Sequence, residues 1–150
     1  MEYKSYRKMR AEQQKAVSAI LDKYSFFAFS NEQFYDGLRK FNLSDSPEDL
    51  AKLSRIYGGG YILKEHAAEL SAVFDRNADE FSDRCNDPET GSRFLYGAFR
   101  EELANHEYSY TGDPSDALQA LGFTLEDLQE DPERMAIFEK AAADAMKDGE

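Results

Sequence analysis

The sequence predicts a mostly α fold, a compact bundle of six to seven helices with one segment that can form a minimal two-stranded β ribbon. Three observations carry this. Apolar residues recur at spacings of three and four through most of the chain, the period of a helix face. Helix-start signals are frequent: Ser30 with Gln33, Ser46 before Pro47, Thr124 with Asp127, and Asp131 before Pro132. Hydrophobic residues make up 41% and aromatics 13% of 150 residues, enough for one domain with a real core.

Residues 3–23 are rich in helix formers, but apolar residues thicken only from Val17 through Ile20, Leu21 and Tyr24. Residues 1–15 are therefore expected to form a basic arm that projects or frays. SFFAF, Ser25–Phe29, lacks a helical period and reads as a short strand or buried connector. Ser30 should start a helix at Asn31, with Phe34, Leu38 and Phe41 on its apolar face. Ser46 and Pro47 should start another, lined by Leu50, Leu53 and Tyr57 and ended by Gly58, Gly59 and Gly60 as a left-handed C-cap. Tyr61–Leu63 can be extended and pair with SFFAF.

The longest helix is expected over Lys64–Arg84. Leu63, Ala67, Leu70, Phe74, Ala78, Phe81 and Cys85 form its stripe, placing the thiol inward as a small hydrophobe. NDPETG, Asn86–Gly91, is a surface loop. Ser92 is the expected N-cap of the next helix, whose face is Leu95, Phe99, Leu103 and His106. Beyond it, short helices over Ser115–Leu121 and from Thr124 to Gln129 precede a last one from Pro132. Met135, Phe138, Ala142 and Ala145 face inward there, and Lys147–Glu150 should fray.

Charge is the most informative feature. The net charge is −12, unevenly spread. Residues 1–23 carry six Lys/Arg against three Asp/Glu, residues 24–100 nine against thirteen, and residues 101–150 three against fourteen. An acidic surface repels phosphate backbones and attracts basic clefts, including those that hold nucleic acid, although acidity can also serve solubility alone. Candidate partner contacts are Glu101, Glu102, Glu107, Tyr108, Tyr110, Asp113, Asp116, Glu126, Asp127, Glu130, Asp131 and Glu133. The run from Glu107 to Asp113 is dense in donors and acceptors; it can read a ligand or tie the loop to the domain. Lys4, Arg7, Lys8, Arg10 and Lys15 make the basic arm an alternative nucleic-acid contact, opposed by the acidity of the rest of the chain.

Enzymatic chemistry finds little support. Gly58–Gly60 lacks the preceding strand and the Lys-Ser/Thr of a phosphate loop. His66 and His106 have no metal-motif spacing; a small metal-dependent hydrolase would have to gather Glu102, Glu107 or Asp113 around His106. With thirty acidic residues, any chosen carboxylate pair is uninformative. No enzyme and no cofactor are expected. One cysteine excludes an internal disulfide and a multi-cysteine zinc site. No run approaches the ~18 apolar residues of a membrane span, and the N-terminus lacks a signal-peptide core, so the expected location is the cytoplasm.

FFAFSNEQF (26–34), GGGY (58–61) and NHEYSYTGD (105–113) together resemble small, acidic, uncharacterised proteins of phages and conjugative elements of Firmicutes. The likeness spans roughly residues 25–125 and transfers no catalytic residue. It implies a context in which small acidic proteins include inhibitors of host defences against nucleic acid, some of them nucleic-acid mimics. The expected function is therefore a non-enzymatic binding protein whose acidic C-terminal third occupies a basic cleft, such as that of a host nuclease.

Overall fold

A computed structural model describes residues 1–149, and among these the protein is mostly helical. The helices are α1 (Tyr6–Tyr24), α2 (Asn31–Lys40), α3 (Pro47–Leu50), α4 (Lys64–Cys85), α5 (Gly91–Asn105), α6 (Tyr108–Thr111), α7 (Ser115–Leu121), α8 (Leu125–Gln129) and α9 (Pro132–Asp148). Three short strands, β1 (Ser25–Phe27), β2 (Leu53–Ile56) and β3 (Gly60–Leu63), form an antiparallel sheet in the order β1-β3-β2. Of the C-terminal residues expected to fray, Glu150 lies outside the described residues, while Lys147 and Asp148 remain in α9. The chain divides into two compact units: residues 1–11 with those from 80 onward, and Glu12–Asp79.

In the unit Glu12–Asp79, local signals set the elements. The Ser30 hydroxyl accepts from the Gln33 amide, and the Gln33 side chain accepts from the Phe29 amide, which starts α2. α2 packs Leu38 with Phe34 and Phe41 against Phe26 and Leu53. The Phe26 ring stacks on Tyr61, its cross-strand partner, at 5.4 Å between centroids. Gly37 permits that arrangement, since a Cβ there would lie 2.0 Å from the Phe26 ring.

The expected pairing of SFFAF with Tyr61–Leu63 is present, but β2 makes it three strands. The expected helix from Pro47 to Tyr57 stops at Leu50. Leu53–Ile56 pairs with β3, Leu53 opposite Leu63 and Ile56 opposite Gly60, so the backbone polar groups are satisfied across the hairpin. The glycines are the hairpin tip and not a helix cap: Gly58 and Gly59 have φ of 68° and 79°, and a Cβ at Gly60 would meet Phe27 and Ile56 at 2.7 Å. In α4 the buried residues of this unit are Leu70 and Val73, while Phe74 is 41% exposed and edges onto Tyr57. The stripe expected through Phe74 and Ala78 is thus displaced by one residue.

The other unit is organised around α5. Phe94, Leu95, Ala98, Phe99 and Leu103 are each at most 1% exposed. α7 contributes Ala117, Leu118 and Leu121 to the same core, and α9 contributes Phe138, Ala141 and Ala142. α5 starts two residues earlier than an N-cap at Ser92 predicts. Thr90 is its N-cap residue without a side-chain bond, and Asp87 accepts from the Glu89 and Thr90 amides in the loop before it. Gly91 sits too close to the Cys85 carbonyl for a side chain, with a Cβ position 2.4 Å from that oxygen. The predicted capping box at Thr124 and Asp127 is present, and Asp131 caps α9 with Pro132 in the first turn.

Within residues 1–11 the basic arm is packed onto its own unit. Tyr6 and Met9 are 3% and 1% exposed in the α5-centred core, a face too short to stand out among the surrounding cations in sequence. Arg93 lies over the Tyr3 ring at 3.8 Å, and Lys4 pairs with Glu80.

Candidate functional site

The acidic stretch is continuous in an unusual sense: from Glu101 to Glu133 there are ten Asp/Glu and no Lys or Arg. The structure sorts these residues, with Tyr108 and Tyr110, into two groups.

The first group is used internally. Glu101 receives two hydrogen bonds from Arg7, Nε at 3.2 Å and Nη2 at 3.0 Å. Glu102 is 6% exposed, and its Oε1 accepts from the Tyr6 hydroxyl at 2.9 Å. His106 Nε2 stands 3.3 Å from the other carboxylate oxygen, and Asn105 Nδ2 lies 3.4 Å from Oε1. A buried carboxylate is tolerated only when bonded in this way. Tyr108 packs half-buried against the core. Asp131 caps α9 and pairs with Arg134.

The second group is open. Glu107, Asp113, Asp116, Glu126, Asp127, Glu130 and Glu133 are exposed, and none forms a salt bridge among the described residues. Tyr110 is 94% exposed. Two of these carboxylates are held in place without being neutralised. Asp113 accepts from the Ser115 amide and hydroxyl at 2.9 and 2.6 Å, which holds its carboxyl below the ordinary carboxylate range. Asp127 accepts from the Thr124 amide at 2.9 Å. Three tight turns position the group. Glu107 itself adopts φ 56°, and glycines with φ of 68° and 78° at Gly112 and Gly122 close α6 and α7. The loop expected after His106 is in fact the one-turn helix α6.

Sequence reasoning could not separate Glu101 and Glu102 from the open carboxylates, because the Tyr6 and Arg7 partners lie more than 90 positions away. It also passed over Leu118, Phe123 and Leu125, which line a recess beside Asp113. Among the alternatives, Lys4 and Arg7 of the basic arm are engaged with Glu80 and Glu101, while Lys8, Arg10 and Lys15 are exposed. Around His106, no three His, Cys, Asp or Glu side chains among the described residues are grouped to hold a metal ion. No helix among them is long and apolar enough to cross a membrane.

Fold and surface together define a small, mostly α protein that carries a long acidic segment with no Lys or Arg of its own. Residues 5–144 match the model of a family of unknown function, DUF7659, and the chain belongs to that family. No curated protein and no solved structure matches it.

Proposed function

We propose that this chain is a non-enzymatic interaction protein whose open carboxylates occupy a basic cleft of a protein that handles nucleic acid, competing with the nucleic acid for that cleft. The observation that carries this reading is the set of seven exposed carboxylates over residues 107–133 with no salt-bridge partner among the described residues. Folded proteins commonly interleave both signs of charge on their surface. A field of one sign instead steers and selects an oppositely charged partner. The resemblance to small acidic proteins of phages and conjugative elements directs the choice of partner toward a host nuclease or another defence protein that targets nucleic acid, which the chain would inhibit. The expected location is the cytoplasm, where such partners act.

The test is affinity capture of tagged protein in a bacterial lysate, first with nuclease and then with added duplex DNA. A basic protein retained through nuclease treatment and displaced by DNA is the expected result. Recovery of nucleic acid itself would overturn the reading, and reversal of Lys8, Arg10 and Lys15 would then locate the contact. Deleting residues 1–15 is not a clean variant, because it removes Tyr6 and Met9 from the core.

A further inference from the structure

Between the start of α7 and the α7–α8 turn lies a recess of about 690 Å³. Its floor is Leu118, 3% exposed, with the half-buried ring of Phe123 beside it. Pro114 and Leu125 also line it, and Leu125 remains 48% exposed. Pockets of roughly 300–1,000 Å³ accept drug-sized ligands or several side-chain groups.

The lining of the recess is mainly apolar, but its surroundings are anionic. Asp113 lines it directly, and Asp116 follows two residues after Pro114. On the other side, Leu125 is followed by Glu126 and Asp127, and Asp127 is bonded to Thr124 of the lining. No lining residue is a cation. Arg134 lies over the Phe123 ring at 5.5 Å, but its guanidinium is bound to Asn86 and faces Asp131.

We infer that this recess receives a large apolar side chain from a basic peptide segment of the partner, whose flanking Lys or Arg residues meet Asp113, Asp116, Glu126 and Asp127. The inference rests on the acidic-surface reading above and names the chemistry of the docked segment. Charge and cavity have separate tasks. The carboxylates speed encounter and reject acidic segments, and the buried anchor slows dissociation. A free nucleic acid strand is excluded as occupant by the same carboxylates. A purely basic or purely apolar peptide would satisfy only one half of the site.

The experiment uses fluorescein-labelled synthetic nonapeptides, four Lys/Arg on each side of one central residue, titrated with the full chain at 50 and 150 mM salt. The expected result is that Leu- or Phe-centred peptides bind at least tenfold more tightly than the Ser-centred one. Leu125→Ser, at an exposed position, should abolish that ratio while leaving the binding shared by all three peptides. Asp116→Asn with Glu126→Gln should weaken all peptides together and reduce the salt dependence. Equal binding of Leu-, Phe- and Ser-centred peptides overturns the recess inference and leaves the acidic reading standing. Absence of salt-sensitive binding by any peptide overturns both.

Discussion

The Tyr6 hydroxyl donates to Oε1 of Glu102 at 2.9 Å, joining residues 96 positions apart inside the α5-centred core. This bond and the Arg7–Glu101 pair beside it mean that two residues of the N-terminus, Tyr6 and Arg7, are spent on the beginning of the acidic segment. What remains uncompensated begins at Glu107. The functional reading therefore depends on separating acids that hold the fold from acids that face water.

That separation is measurable as stability. Tyr6→Phe keeps the ring contacts with Phe81 and Phe94 and removes only the donor to a buried carboxylate. Hydrogen bonds to charged groups contribute about 1.5–3 kcal/mol, and urea unfolding should show a loss in that range. Glu126→Gln, at an exposed position without a salt-bridge partner among the described residues, should leave the unfolding midpoint unchanged. Equal losses for both variants would remove the distinction.

The legibility of the fold follows the range of the interactions that made it. Caps at Ser30, Ser46, Thr124 and Asp131 are local, made within three residues, and each was readable. Leu50, Leu53 and Tyr57 also have helical spacing, yet Leu53 is in a strand because β3 supplies its hydrogen-bond partners from beyond the glycines. Tertiary pairing overrides a short periodic pattern. The same limit applies to the site. A run of acids without cations is visible in sequence, whereas the burial of Glu102 depends on Tyr6 at the far end of the chain.

Alkaline pH should destabilise the protein. Burial and the neighbouring Glu102 carboxylate raise the Tyr6 phenol above its ordinary 10.0, and burial pushes the Cys85 thiol from 9.0 up to about 11. Both groups hold their protons more tightly folded than unfolded. Their contribution is fully present below the unfolded values and is lost as pH rises through the folded ones. The urea midpoint should therefore fall between pH 9 and 11, and a Tyr6→Phe, Cys85→Ala double variant should flatten that fall. A midpoint that rises over this interval would contradict the assignment.

The close approach of Gly37 to Phe26 predicts a costly alanine. The Cβ position is 2.0–2.3 Å from three ring atoms, and the ring is hemmed by Tyr61 and Phe34 at 5.4 and 5.8 Å. Overpacking of this kind costs about 1–3 kcal/mol. Gly37→Ala should lose stability in that range, and Phe26→Leu in the same chain should recover part of it, since the two positions share one space. Additive losses would show that the contact is not the cause.

Binding of the captured partner to wild-type protein and to an Asp116→Asn, Glu126→Gln, Glu130→Gln, Glu133→Gln variant, measured across salt concentration, tests the central claim most directly. All four positions are exposed, so the variant should unfold at the same urea concentration as wild type. The wild-type affinity should fall steeply with salt, and the variant should bind at least tenfold more weakly at low salt with a shallower dependence. A variant that binds as tightly as wild type, with the same salt dependence, would show that the partner does not read the acidic surface.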